Sequence, residues 1–252
     1  MTSILYKNKI KQVLVISFWI LAWQGIYMLI NQPLLVPSPW MTIVAFGKIV
    51  VTSSTWKIVF FTAVKILIGY LIAVFLGVFS AVLAYRISMF EEIIRPIVLL
   101  TKSIPVASFI VVALAWLNAE NISIFITAFV SFPMVYLQFY MSLKNTDKSI
   151  LDMCKVFRVS SQKKIKYLYV PLILEKMQEV VVSTIGMAVR AAVAAELIGV
   201  PMQSIGEAIY KTKLYFDIAE LFAWTILIIF LCLFMEKALK NILHCLRRRL
   251  YD

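Results

Sequence analysis

Charged residues are scarce in this chain, at 15% of 252 positions, while 62% are hydrophobic. A soluble domain carries about 25% charged and roughly 45–50% apolar residues, so too little polar surface is present to keep a globule in water. Histidine occurs once, at His244, and cysteine three times, at Cys154, Cys232 and Cys245. So scattered a set implies neither a disulfide framework nor a metal site. It also argues against an integral membrane enzyme, which needs clustered ligands or an activated nucleophile. The seven glycines never form GxxxxGK[ST], the loop that cradles nucleotide phosphates.

What is present is a series of apolar runs near the length of about 20 residues that crosses a bilayer. They predict an all-α, polytopic membrane protein of one domain, residues 1–252, with six transmembrane helices at about 13–30, 59–85, 103–117, 122–143, 175–200 and 218–239. The first has a basic start without a small-residue cleavage site after it, and reads as a retained helix. Between the first two runs, Asn31–Pro39 holds three prolines and cannot be regular helix. Trp40–Val51 then has the mixed character of a short interfacial segment. Met89–Pro105 mixes Glu91, Glu92, Arg95 and Lys102 with apolar residues and reads as an amphipathic lead-in to the third span. Pro105 is tolerable in a first helical turn, and Pro133 is expected to kink the fourth span.

The net charge of +12 is distributed unevenly. Basic residues gather at Lys7, Lys9 and Lys11, between Lys144 and Lys176, and at Arg247, Arg248 and Arg249. The positive-inside rule places such segments in the cytoplasm, giving both termini inside and a long cytoplasmic loop, 144–171. Within that loop Leu151, Met153, Val156 and Phe157 alternate with charges, as in a short amphipathic helix followed by a turn near Val159–Ser161. Such a loop is either a solvated basic surface, a binder of anionic lipid heads, or a docking element for a partner.

The loop resembles the EAA loop of inner-membrane permeases in binding-protein-dependent ABC importers. That motif reads Glu-Ala-Ala, three residues, Gly, nine residues, Ile, one residue, Leu-Pro. In register, Asp152 takes the acidic position, Met153 and Cys154 the two alanines, Arg158 the glycine, Leu168 the isoleucine, Val170 the leucine and Pro171 the proline. Glycine there permits positive φ, so this chain must either turn at Val159–Ser160 or hold an arginine in that conformation.

Further landmarks are similar to the nitrate, sulfonate and taurine branch of the family: Val36-Pro-Ser-Pro39, Ser103-Ile-Pro105 and Ala195-Glu196-Leu-Ile-Gly199. The resemblance implies the type I importer permease fold in a bacterial inner membrane. It implies a subunit that forms the solute pathway, is not itself an enzyme and binds no cofactor, with ATP and Mg on a partner ATPase. Implied partners are a second permease copy, two ATP-binding subunits, an extracytoplasmic substrate-binding protein and membrane lipid, without nucleic acid. Leu151 to Phe157 would form the coupling helix, an amphipathic helix seated in a groove of the ATPase, with Arg158 and Pro171 completing the ATPase-coupling set. The branch points to a small organic anion or nitrate, and look-alikes also handle vitamin precursors.

Arg190 and Glu196 are the only charges between Glu179 and Glu207. A charge within a bilayer costs about 2.5–3.5 kcal/mol on insertion scales and usually faces a bundle interior or cavity. Six residues apart on a helix, the two point about 120° from each other and should not pair. Arg190 is either held by a partner on another helix or attracts an anionic substrate. Glu196 is either a gate or docking residue or simply exposed at an interface. Ser183, with Thr184, Gln138, Lys57 and Lys65, is a further polar candidate for the pathway, against snorkelling or helix packing. The rival reading, an ion-coupled secondary transporter, calls for internal repeats and midplane carboxylates, which the sequence does not display.

Overall fold

The computed structural model describes residues 2–146, 149, 153, 154 and 156–251. The regular elements among them are all helical: α1 (Thr2–Ile30), α2 (Pro39–Val51), α3 (Ser53–Arg86), α4 (Ser88–Ser103), α5 (Val106–Leu114), α6 (Ala119–Lys144), α7 (Ser161–Lys164), a π-helical turn (Ile165–Tyr169), α8 (Val170–Gly199), α9 (Ile205–Leu214) and α10 (Ile218–Tyr251).

Among the described residues five stretches are long and apolar enough to cross a membrane: Val13–Ile30, Ser53–Arg86, Ala119–Lys144, Gln162–Gly199 and Ile218–Arg248. The expected span 103–117 takes a different form. Helix α5 has nine residues, a rise of about 14 Å against about 30 Å of hydrocarbon. It meets α4 at a bend of 102°, and the pair adds a sixth crossing only if both arms are counted together. The cause is local. Ile104, ahead of a proline, is extended at φ −73°, ψ 128°, because the ring disfavours helix in the preceding residue. The helix therefore restarts only at Val106, with Pro105 as its N-cap.

The chain divides into two compact units. The first comprises residues 1–58 and 208–229. Here the Val36-Pro-Ser-Pro39 landmark acts as a helix start. Ser38 is the N-cap of α2, its hydroxyl accepting from Met41 N at 3.1 Å, and Pro39 opens the helix. An N-cap oxygen satisfies an otherwise orphaned amide, and proline in the first turn sacrifices no hydrogen bond. Trp23 of α1 donates its indole N–H to Pro37 O at 3.0 Å and stacks on Phe222. Helix α9 ends with Phe216 at φ 56° and a bond from Asp217 N to Thr212 O, the six-to-one closure of a Schellman motif. Asp217 in turn caps α10, accepting from Glu220 N at 3.0 Å.

The second unit comprises residues 59–207 and 230–252. Gly69, Ala73, Gly77 and Ala81 recur every four residues along α3. A Cβ at Gly69 would lie 2.8 Å from Thr127 Cβ, and one at Gly77 would lie 2.7 Å from Val135 Cγ1. The backbones of α3 and α6 thus meet through a small-residue ridge, the way helices associate in lipid. One core cluster joins Ala81, Val98, Val135, Phe139, Leu143 and Val180. Another joins Ile110, Ile122, Ile126, Ala191 and Ala195, so α5 packs against α6 and α8.

Among the described residues, Asn31, Arg158, Val200, Gln203 and Phe216 have positive φ, and no glycine does. In this glycine-poor chain the turns are made by residues with side chains.

Candidate functional site

The loop that sequence reasoning singled out begins after Asn145 and returns through α7. Leu151 and Asp152, expected at its start, lie outside the described residues. Met153, Cys154 and Val156 are helical, and Phe157 N donates to Met153 O at 3.0 Å. Arg158 then adopts φ 49°, and Val159 N reaches back to Cys154 O at 3.0 Å. A six-to-one bond over a left-handed residue is the Schellman closure, with Arg158 at the position glycine usually fills. Of the two alternatives, therefore, the arginine makes the turn. Met153, Val156 and Phe157 are 54%, 78% and 73% exposed, and Cys154 is half-buried.

Beyond the turn, Pro171 stands at the start of α8, directly after the π turn Ile165–Tyr169. Proline lacks an N–H and its ring crowds the carbonyl four residues back, and a widened turn relieves that conflict. Tyr169, Leu172 and Ile173 pack on the cluster of Ala81, Phe139 and Leu143. The exposed apolar segment is thus tied to a well-packed base of α3, α6 and α8.

Higher on α8, Gln138 of α6 donates to Ser183 Oγ at 2.9 Å, and Ser183 also bonds Val180 O. A cavity of about 570 Å³ opens below this pair, lined among others by Gln138, Ser142, Asn145, Leu168 and Lys176. Lys176 pairs with Glu179. Arg190 is exposed, and a Cβ at Gly186 would lie 3.4 Å from Cys232 Sγ and 3.9 Å from Arg190 Nη1. Its guanidinium therefore lies back along its own helix. Among the described residues no carboxylate forms an ion pair with it.

Glu196 is 0% exposed, which removes the alternative of interfacial exposure. Its Oε2 accepts from Thr62 Oγ1 at 3.0 Å and from Gly206 N at 3.3 Å. Thr62 Oγ1 in turn accepts from Ile205 N at 3.1 Å. One carboxylate oxygen thereby ties α8 to α3 and to the start of α9. Among the described residues the other oxygen has no hydrogen-bond partner, and neither do the buried hydroxyls of Ser123, Thr127 and Ser131 on α6. Alongside, Glu120 accepts from Lys65 Nζ at 3.0 Å and from Met202 N at 3.0 Å, which fixes the α8–α9 connection to α3 and α6. Val200, which closes α8 through a bond to Glu196 O, has φ 48°. A β-branched residue there is strained.

Sequence reasoning missed Thr62 and Glu120. Glu120 falls between the expected third and fourth spans, and Thr62 is one hydroxyl in the apolar run 59–85. Neither has a local pattern that announces its partner.

Residues 73–244 match the family described as "Binding-protein-dependent transport system inner membrane component". The chain belongs to that family. No curated protein matches it. As a member it is a multi-pass membrane permease subunit of an ABC importer, and the family is a non-catalytic transport component that implies a system with ATPase and binding-protein partners. The matched region takes in the loop, the Gln138–Ser183 pair and Glu196 with Gly206, while Thr62 lies ahead of it.

Proposed function

We propose that this permease pairs with a second copy of itself, receives a cytoplasmic ATPase on the segment around Met153–Arg158, and passes a small organic anion of the sulfonate, taurine or nitrate kind. In this reading both termini and the 144–171 loop face the cytoplasm, ATP and Mg are bound by the ATPase, and a binding protein delivers the solute on the other side. The observation that carries it is the exposed apolar turn of Met153, Val156 and Phe157, closed at the register of the family's glycine. An amphipathic helix transmits rigid-body motion because its apolar side chains cannot leave a groove without losing packing. Its attachment to the packed base at Tyr169, Leu172 and Ile173 provides a lever into α6 and α8. The polar-edged cavity beneath Gln138 and Ser183 supports a solute route there, with the exposed Arg190 as the cation that attracts an anion.

The test is reconstitution with the companion ATPase and receptor. Val156→Asp and Phe157→Asp should each abolish coupled uptake and ATPase capture while the permease unfolds at its normal temperature. Uptake by vesicles containing the permease without an ATPase would overturn the reading.

A further inference from the structure

The first unit contains a cavity of about 680 Å³, lined among others by Trp40, Lys48 and Thr55 on one side and Asp217, Glu220 and Trp224 on the other. It lies where α2 meets the first residues of α3 and α10, the two helices whose long apolar stretches begin at Ser53 and Ile218. The start of a membrane-crossing stretch is where lipid headgroups give way to acyl chains. Trp40 is exposed, as are Ile43, Val44 and Val51 on the same short helix, and indoles favour this boundary.

The charges of the cavity are of both signs and do not neutralise each other. Among the described residues Lys48 forms no ion pair, although it shares the cavity with two carboxylates. Asp217 uses Oδ1 to cap α10. Glu220 uses Oε1 to accept from the Trp224 indole at 3.2 Å. Each carboxylate therefore keeps its second oxygen for something else. A cation on α2 and two acceptors on or beside α10 that form no ion pair with it suit a ligand that carries phosphate and ammonium a few bonds apart.

We propose that this cavity binds the headgroup of a zwitterionic phospholipid with a primary ammonium. Its phosphate rests on Lys48 and its ammonium donates to Asp217 and Glu220. Two carboxylates against one lysine disfavour an anionic glycerol headgroup. A choline headgroup satisfies the charges but has no N–H to donate.

The experiment is native mass spectrometry of the full chain in detergent, titrated separately with phosphatidylethanolamine, phosphatidylcholine and phosphatidylglycerol. One ethanolamine lipid per chain should be retained about tenfold more tightly than the other two, the worth of a charge-assisted hydrogen bond. Asp217→Asn with Glu220→Gln keeps the helix cap and the Trp224 bond, and should reduce the ethanolamine lipid to the choline level. Lys48→Gln, at an exposed position, should weaken ethanolamine and choline lipids alike. Equal retention of the three lipids, or variants that bind as the parent does, would overturn the proposal. Free phosphoethanolamine binding as tightly as the lipid would assign the cavity to a soluble zwitterion instead. Displacement of the lipid by the binding protein alone would assign it to protein docking.

Discussion

Thr62 donates to Glu196 across 3.0 Å although 134 residues separate them, and Gly206 N shares the same carboxylate oxygen. Three helices are held by one buried side chain whose second oxygen is unpaired. Glutamine at 196 would retain an acceptor for Thr62 and Gly206, and its amide would face the unpaired Ser123 hydroxyl. Glu196→Gln should therefore unfold at or above the parental temperature, since it also removes any cost of burying charge. Glu196→Ala would leave a void and two orphaned donors, for a loss of about 3 kcal/mol. Thermal unfolding in detergent checks both, and an alanine variant as stable as the parent would show that the clasp holds nothing.

Gly206 offers a sharper test of the same contact. A Cβ there would collide with the backbone and Cβ of Glu196, whereas Gly25 and Gly47 have nothing within 4 Å. Gly206→Ala should lose about 3 kcal/mol or fail to fold. Gly25→Ala and Gly47→Ala, inside helices, should be neutral or gain up to about 1 kcal/mol. Similar losses in all three would contradict the close approach.

The long apolar helices were legible because their period and length follow from the bilayer. The start of α2 was legible because Ser38 and Pro39 suit a cap and a first turn. The α4–α5 bend was half legible, since Pro105 was visible but its N-cap place depends on Ile104 staying extended. The loop's position came through the spacing of Asp152, Arg158 and Pro171. That Arg158 would itself turn left-handed did not, since Val159–Ser160 competed for the turn. The Thr62–Glu196–Gly206 clasp was illegible because it joins residues with no shared pattern, and only folding brings them together.

The Lys65–Glu120 pair should contribute little by itself. Glu120 has a side chain 55% exposed against 19% for Lys65, and such half-solvated pairs contribute about 0–1 kcal/mol. A double-mutant cycle with Lys65→Met and Glu120→Gln should give a coupling of about 0.5 kcal/mol that shrinks with added salt. Glu120→Ala also frees Met202 N, so amide exchange should rise at Met202 and its neighbours. Unchanged exchange there would mean the carboxylate does not hold the connection.

Arg158 at φ 49° is strained in a way its replacements can separate from its charge. Left-handed backbone costs a residue with a Cβ about 1–2 kcal/mol, and asparagine tolerates it better than alanine. Arg158→Asn and Arg158→Ala remove the same charge, so the difference between them reports the turn alone. Asparagine should hold the Val159–Cys154 closure and bind the ATPase more tightly than alanine by about threefold to tenfold. Arg158→Gly should slow amide exchange at Phe157 and Val159, and Arg158→Pro, whose φ is fixed near −65°, should abolish ATPase capture. Identical affinities for the asparagine, alanine and proline variants would show that the arginine matters for its charge and that the turn does not position the helix.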